Sequence, residues 1–250
     1  MLKKTILAVA FATLASGFAA KAQTNIQVFY DFGSDRKHVT TTIEGFYNDN
    51  WGNTFFFVDH DFNHKANTPA GTKAPTGTYM EVARCLNFWQ GTKLGGLSLH
   101  VEYNGGVYKN YHINHSILAG LDYFLHSSDF RNTFNFKVLY KKIAGTKSQV
   151  PMQFTFVWGM QDLFGLKGLR FSGFADFWWE DHTLFTDHNG PILGGFSHVV
   201  FLSEPQIWYN VGQHFGVNNF NIGGEVELSY DFGSAKGFWA RPCLGAKWVF

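Results

Sequence analysis

The feature that most restricts the fold of this 250-residue chain is an alternation of apolar and polar residues that recurs in one long segment after another. In the segment 219–232, one set of alternate positions holds Phe220, Ile222, Val226, Leu228, Tyr230 and Phe232, and the other holds Asn221, Glu225, Glu227, Ser229 and Asp231. Alternate residues of a β-strand point to opposite faces. The pattern therefore indicates strands with one apolar and one polar face.

We count about twelve such segments, and they start near Asn25, Lys37, Gly52, Thr78, Gly95, His112, Asn132, Pro151, Gly168, Phe196, Asn219 and Gly237. Most have roughly 9–13 residues, the length that a tilted strand needs to cross a lipid bilayer. Strands of globular proteins average about 5–6 residues. Segment length therefore favours a membrane barrel over a soluble β-sandwich or a small-ligand barrel secreted into the periplasm.

Beyond Gln23, no stretch of the sequence approaches the roughly 18 apolar residues of a membrane-spanning helix. In lipid, every backbone N–H and C=O group must be hydrogen-bonded within the protein, so strands can cross a membrane only as a closed barrel. The sequence therefore predicts an all-β fold, a transmembrane antiparallel up-and-down β-barrel of about 12 strands. Its expected partners include membrane lipids.

The N-terminal residues have the features of an export signal. Lys3 and Lys4 form a short positive region, an apolar stretch of small residues follows over 5–20, and Ala20-Lys21-Ala22 fits the rule for signal-peptide cleavage. A membrane-anchoring helix is disfavoured because the apolar stretch is short. We predict a signal peptide at 1–22 and an outer-membrane β-barrel at 23–250, in the cell outer membrane of a Gram-negative bacterium.

Composition excludes several functions. The net charge is +1 and no basic stripe is present, so a nucleic-acid partner is not expected. Two widely spaced cysteines, Cys85 and Cys243, form neither a disulfide framework nor a zinc motif. The export signal makes a disulfide between them chemically permissible, and bonded and free cysteines remain equally open.

The connections and the last strand give two further expectations. The longest gaps, Asn63–Gly77 and Glu180–Gly195, are the third and ninth connections, so both are predicted to be loops on the outer side. Tyrosine and tryptophan near strand ends predict aromatic girdles: Tyr103, Tyr123, Tyr140, Trp158, Trp179, Tyr209, Tyr230 and Trp248. The alternating last strand ends at the aromatic Phe250, an ending typical of barrels that the outer-membrane assembly machinery inserts.

Two stretches carry a resemblance to a known family. They are YDFGSDRKHVTTTIEGFYNDNWGNTFFFVDHDFN at Tyr30–Asn63 and YMEVARCLNFW at Tyr79–Trp89. They resemble a family of uncharacterised bacterial outer-membrane proteins, which is in turn similar to the nucleoside-specific channel-forming (Tsx-type) barrels. The resemblance implies a narrow solute channel, and no Tsx-type binding residue aligns individually with this chain.

Strand parity sends the charged residues of each segment to one side, where a water-filled interior would solvate them. Facing lipid, such groups cost about 2–4 kcal/mol each near the bilayer midplane. We predict a constricted lumen that conducts small polar solutes such as nucleosides by passive diffusion, without a cofactor. The candidate solute-binding residues are Phe57, Asp59, Asp61, Glu81, Glu102, Asp176, Glu204, Glu225 and Arg241. Inward aromatic residues that could stack flat solutes are Phe29, Phe55, Phe57, Trp178, Trp208 and Trp239.

The sequence also bears on three alternatives to a channel: a plugged barrel, an enzyme and a metal site. The inward charges could pair with one another and plug a purely structural barrel. An outer-membrane lipid-modifying enzyme would need a catalytic serine and histidine. The adjacent pairs His115-Ser116, His126-Ser127 and Ser197-His198 do not supply them, because neighbours on a strand face opposite sides. A metal site is not predicted either, because no two histidines have a spacing that converges in an extended strand; His112 and His115 face opposite sides, and His60 and His64 straddle a strand end.

One residue contradicts the parity. Arg84 lies in the lipid-facing phase with Val82 and Leu86. Either a β-bulge changes the parity, or Arg84 lies near an interface and extends its guanidinium group into water.

Overall fold

The computed structural model describes residues 23–62, 74–109 and 111–250, so the predicted signal peptide and most of the predicted loop at Asn63–Gly77 lie outside the described residues. The strands are β1 (Gln23–Asp31), β2 (Val39–Asp49), β3 (Gly52–Phe62), β4 (Pro75–Leu86), β5 (Leu97–Tyr108), β6 (His112–His126), β7 (Asn132–Ile143), β8 (Met152–Gln161), β9 (Leu169–Asp187), β10 (Gly190–Ser203), β11 (Gln206–Tyr209), β12 (Phe220–Tyr230) and β13 (Phe238–Val249). Two short 3-10 helices occupy Leu163–Gly165 and Val211–Phe215.

The sheet closes on itself. Apart from β10 and β11, strands that are neighbours in the chain pair antiparallel, and β1 also pairs with β13 through contacts such as Asn25 opposite Val249. Strands β10 and β11 share one position in the wall, because both pair with β9 and with β12. The molecule is therefore a closed antiparallel β-barrel with twelve strand positions, which confirms the predicted fold class.

The break between β10 and β11 falls at Glu204-Pro205. Proline has no backbone N–H to donate, so it interrupts the hydrogen-bond ladder. The register continues across the break: Ser203 lies opposite Ala175, and Gln206 lies opposite Ser172. Gly173, between those two positions on β9, has φ +156, and a Cβ there would lie 2.4 Å from the Glu204 carbonyl oxygen. The wall is thus tightly packed at Pro205, although a backbone hydrogen bond is absent there.

The two faces of the wall differ as the alternation predicts. Along β1, Val28 and Tyr30 are exposed on the outside, whereas Gln27 and Asp31 are buried inside. The exposed apolar residues of the barrel form a band facing outward, as contact with acyl chains requires. The outer surface therefore binds membrane lipids, and the polar residues face an enclosed space.

All eight residues of the predicted aromatic girdles lie in the outward phase. Tyr123, Tyr209 and Trp248 lie near the end of the barrel that carries both described chain ends, here called the terminal rim. Tyr140 and Tyr230 lie near the opposite end, here called the far rim. Tyr103 is the exception, because it lies in the middle of β5. Aromatic side chains near both rims match the two lipid–water interfaces of a bilayer.

The prediction of a loop at Glu180–Gly195 is wrong. These residues continue β9 and β10 as a paired hairpin that turns at 188–189. Charged residues and glycines obscure the alternation there. Outside the bilayer, paired strands do not need an apolar face, so the alternation is not required. We call this segment, 180–195, the far-rim hairpin. Among the described residues, no helix has the length and apolar character that crossing a membrane requires.

The position of Arg84 supports the second of the two explanations. It lies opposite Thr54 in a register without a shift at this point, so no bulge changes its parity. Its guanidinium group donates to Thr54 Oγ1 at 3.0 Å and lies 2.8 Å from Asp49 Oδ2, at the turn between β2 and β3. Arg84 therefore faces outward near the terminal rim and extends its charge toward the interface.

Candidate functional site

The lumen is the candidate site, and its middle level is lined by carboxylates. Four strands and the break between β10 and β11 place the following residues inside the barrel, and we call them the acidic belt: Asp59, Glu81, Asp176, Glu204 and Glu225. Within the described part of the chain, no Lys or Arg nitrogen forms an ion pair with any of them, since none of the observed salt bridges includes them. The belt is therefore a layer of carboxylates that no lysine or arginine of the described residues pairs with directly, although Lys141 and Lys247 lie within electrostatic range of it.

Neutral hydrogen-bond donors hold several belt carboxylates in place. Thr42 donates to Asp59, the Tyr79 hydroxyl donates to Glu81 at 2.6 Å, and Gln206 donates to Glu225 at 2.7 Å. One oxygen of Asp176, Oδ1, is buried without a hydrogen-bond partner. These carboxylates are positioned, but they retain acceptor capacity for a visiting donor.

The belt residues face one another across the lumen. Glu204 on the β10 wall position interacts electrostatically with Asp59 on β3, and Glu81 on β4 interacts with Asp176 on β9. In each pair the two strands lie on nearly opposite sides of the twelve-position wall. The belt carboxylates on opposite sides of the wall therefore influence one another across the enclosed space.

A network of arginines and carboxylates closes part of the lumen at the far rim. Arg241 Nη1 donates to Glu227 at 2.6 Å, and its Nη2 lies 2.9 Å from Asp35. Arg36, from the turn between β1 and β2, bonds the second Glu227 oxygen at 2.6 Å and lies 3.3 Å from Asp31. This rim network is fully paired, unlike the belt.

Two members of the rim network lie in the turn outside the membrane-spanning strands. Burial raises the pKa of Asp35, but its hydrogen bonds to Arg241 and the charge of that side chain outweigh burial, so the pKa lies below its usual range. Burial lowers the pKa of Arg36, but the charges of Glu227 and Asp31 raise it more, and the pKa lies above its usual value. Both residues are therefore charged at neutral pH.

The inward tryptophans are already in contact with cations. Lys141 Nζ lies 3.8 Å from the ring centre of Trp178, Lys247 Nζ lies 4.2 Å from that of Trp208, and the Arg241 guanidinium carbon lies 4.7 Å from that of Trp239. Cation–π contacts of this kind fix both partners. These rings are less available for stacking a solute than the sequence suggested.

The aromatic residues beside the belt form a different group. The Phe57 ring contacts Phe55 at 6.0 Å and Tyr79 at 5.9 Å between ring centres, and all three lie on β3 and β4 next to Asp59 and Glu81. We call Phe55, Phe57 and Tyr79 the aromatic strip. It places flat apolar surface directly beside hydrogen-bond acceptors.

Three predicted site residues have other partners. Asp61 accepts from Thr40 at 2.6 Å and from Tyr108 at 3.1 Å near the far rim, and Arg241 belongs to the rim network. Glu102 accepts a hydrogen bond from His100 at 3.0 Å. The structure therefore gathers Asp59, Glu81, Asp176, Glu204 and Glu225 at one level and places Asp61 and Arg241 above them.

His100 belongs to a buried cluster that the sequence did not predict. Cys85 on β4, His100 on β5 and Asp122 on β6 bring one ligand atom each within 4.8 Å of the others. The cluster depends on the register of β4 against β5, which places Cys85 directly opposite His100. Both Cys85 and Cys243 are free, so they form no disulfide.

The serine–histidine pairs are not catalytic pairs. His115 is exposed while Ser116 is buried, and His198 is exposed while Ser197 is buried, so the members of each pair lie on opposite faces as expected. His126 Nδ1 contacts the backbone oxygen of Ser127, not its hydroxyl. These pairs therefore give no support to a lipid-modifying enzyme.

The fold is that of outer-membrane porins. The chain is similar to the NanC porin, with a TM-score of 0.51 and 8% identity, over 90% of this chain and 98% of that one. It also aligns with a BenF-like porin from Pseudomonas fluorescens Pf-5, with a TM-score of 0.42 and 10% identity, over 90% of this chain and 58% of the porin. OpdK from Pseudomonas aeruginosa gives a TM-score of 0.38 and 9% identity, over 92% of this chain and 98% of OpdK. The last two likenesses are too weak to support an argument.

These comparisons agree with the physical character of the barrel. A closed wall with an apolar outer band and a polar interior is built for the outer membrane, and the protein is located there. No curated protein sequence gives a significant match. Residues 22–250 match the family described as "Domain of unknown function (DUF5020)". Since the match extends over the whole barrel, the chain belongs to the DUF5020 family.

Proposed function

We propose that the protein is a passive outer-membrane channel for small polar solutes, with a preference for cations and for solutes rich in hydroxyl and amine groups. The observation that supports this proposal is the acidic belt, whose five carboxylates face an enclosed space and form no direct ion pair among the described residues. A carboxylate in a passage accepts hydrogen bonds from hydroxyls and amines and attracts cations.

The alternative is a plugged structural barrel. In a plug, inward charges should pair and fill the space, and the rim network on β12, β13 and the first turn does this. The belt carboxylates form no such direct pairs, and several unpaired buried carboxylates would destabilise a dry core. Water or solute at the belt would solvate those carboxylates at little cost in free energy. The belt therefore favours a conducting lumen over a plug.

The finer proposal is that nucleosides are among the solutes. The aromatic strip offers faces on which a flat base can stack, and Asp59 and Glu81 on the same strands can accept hydrogen bonds from ribose hydroxyls or exocyclic amines. The two features lie side by side at the level of the acidic belt. The resemblance to Tsx-type barrels is consistent with this proposal.

Reconstitution of the full mature barrel into planar bilayers tests the channel. We expect discrete conductance steps in potassium chloride, and transient block of those steps when a nucleoside is added. Glucose serves as the matched solute, because it has hydroxyl groups but no aromatic base. Block by both solutes to the same extent would contradict the nucleoside proposal alone. A silent bilayer that contains correctly folded protein would contradict the channel and favour the plug.

A second prediction concerns assembly. The last strand carries Trp248 and Phe250 toward the outside at the terminal rim, and the Phe250 side chain is 72% exposed. We propose that the outer-membrane assembly machinery recognises this end after export through the signal peptide at 1–22. Phe250→Asp is expected to reduce the amount of folded protein in outer-membrane fractions several-fold, whereas Phe215→Asp, at an exposed residue between strands, is the matched control. Normal insertion of Phe250→Asp would refute the proposal.

A further inference from the structure

The cluster of Cys85, His100 and Asp122 has a role that the channel does not require. The three side chains project inward from the neighbouring strands β4, β5 and β6, and all are buried, with exposed fractions of 4%, 1% and 3%. We propose that they bind one divalent transition-metal ion, and that Zn²⁺ is the ion that fits best. The ion would join three consecutive strands of the wall.

The distances between the ligand atoms match a tetrahedral ion. Cys85 Sγ lies 3.3 Å from His100 Nδ1 and 3.4 Å from Asp122 Oδ2, and His100 Nδ1 lies 3.9 Å from the same oxygen. With zinc at about 2.3 Å from sulfur and about 2.0–2.2 Å from nitrogen and oxygen, tetrahedral ligand atoms lie about 3.3–3.6 Å apart. Side-chain shifts of a few tenths of an ångström would complete the site.

Groups around the ligands orient them for metal binding. His100 presents Nδ1 to the cluster, while its Nε2 lies 3.0 Å from Glu102 Oε2, which is the hydrogen bond that fixes a neutral imidazole with Nδ1 free to coordinate. Asn135 donates to the other oxygen of Asp122, Oδ1, at 2.7 Å. Each of these two ligands is therefore held by a second residue, as is typical of built metal sites.

The formal charges of the cluster balance when a divalent ion is present. Binding replaces the thiol proton of Cys85, which is released to water, and leaves a thiolate. The ion and Lys137, whose Nζ lies 3.9 Å from Asp122, then oppose the thiolate and the two carboxylates of Asp122 and Glu102. Three positive charges meet three negative charges, so the buried site is neutral.

A nucleophilic cysteine is the competing explanation, because Cys85, His100 and Glu102 lie in the order of a nucleophile, a base and an orienting carboxylate. Asp122 argues against it, since its oxygen lies 3.4 Å from Cys85 Sγ and its negative charge would oppose thiolate formation. Burial of Cys85 also denies a substrate access to sulfur. A cation between the sulfur and the carboxylate would compensate both negative charges, and a structural ion needs no access for a substrate.

The donor set selects the ion. Thiolate and imidazole are ligands that Zn²⁺ shares with other late first-row ions, whereas Mg²⁺ and Ca²⁺ prefer oxygen atoms alone. Three protein ligands leave one tetrahedral position for water. Because the cluster is buried and joins three neighbouring strands, the ion would stabilise the barrel.

The wild-type protein provides the first test. Folded barrel, purified without chelator, should contain about one zinc per chain by elemental analysis. After removal of zinc, titration with Co²⁺ should produce the near-ultraviolet absorption of a thiolate–cobalt bond. Folding is checked by the heat-dependent mobility of the barrel on gels. Folded protein that shows neither zinc nor the thiolate–cobalt band would overturn the proposal.

Variants separate the site from adventitious metal. Cys85→Ser and Asp122→Asn should abolish the cobalt band, and Glu102→Gln should weaken zinc affinity roughly 10–100-fold because it orients His100. Cys243→Ser is the matched control, because Cys243 is also a buried inward thiol but packs against Phe29 and Trp208, and its sulfur lies 4.0 Å from the Arg241 carbonyl oxygen. Loss of the band in Cys243→Ser, or its survival in Cys85→Ser, would refute the assignment. Rapid alkylation of Cys85 in the folded protein, with Cys243 unreactive, would instead indicate the nucleophile.

Discussion

Replacing Glu204 and Glu225 together by glutamine is expected to lower the cation-to-anion permeability ratio of the channel roughly thirtyfold. In a water-filled passage, a charge at about 4 Å is worth about 1 kcal/mol to a passing ion, so two lost charges change the energy of a cation by about 2 kcal/mol. Glutamine keeps the size of each side chain, and at 225 it still offers an oxygen to Gln206. The change therefore removes charge with little effect on shape.

The measurement is the reversal potential of single channels in a potassium chloride gradient. Asp129→Asn is the control, because Asp129 lies in an exposed turn at the terminal rim and removes an acid without changing the belt. The control should retain the selectivity of the wild type. If the double variant conducts with an unchanged reversal potential, the belt does not select ions and the proposed route through it is wrong.

Replacing Arg241 by methionine is expected to destabilise the barrel by about 3–5 kcal/mol, the usual effect of removing one partner from a buried ion pair. The side chain of Arg241 is 4% exposed and that of Glu227 is 8% exposed, so water can do little to replace the lost contact. Arg36 continues to neutralise part of the Glu227 charge, which places the expected loss toward the lower figure. The stability is measured by urea unfolding in detergent or lipid vesicles.

Two comparisons make that prediction specific. Arg131→Met removes an ion pair whose side chains are 60% and 55% exposed, and a loss of only about 0–1 kcal/mol is expected. Adding Glu227→Gln to Arg241→Met should recover part of the stability, because the buried charge left without its partner is then absent. Equal losses for Arg131→Met and Arg241→Met would show that the rim network does not stabilise the fold.

Much of the fold was predictable because the membrane imposes a simple rule on every strand. Residues such as Gln27 and Val28 must face opposite environments, so the alternation, the number of strand positions and the inward placement of the belt residues could all be predicted from the sequence. The far-rim hairpin was missed for the same reason. Beyond the bilayer the rule no longer applies, and a paired strand with glycines and charges has the composition of a loop.

The site was predictable only in part. Parity decides which face a residue occupies, and it placed Asp59 and Glu204 in the lumen, but it does not tell which residues of different strands share a level. That information lies in the register, which depends on turn geometry and strand tilt. The grouping of Cys85 with His100 and Asp122, and the pairing of Arg36 with Glu227, are therefore visible only in the structure.

The far-rim hairpin also determines what the protein presents beyond the membrane. About 9–11 residues suffice for a tilted strand to cross a bilayer, and β9 has 19 residues, so a long part of it stands clear of the lipid. Its backbone is paired with β10 up to Gly190 opposite Asp187. A protease or an antibody approaching from that side meets a ribbon whose peptide bonds are paired on both sides of an irregularity between Pro191 and Gly195.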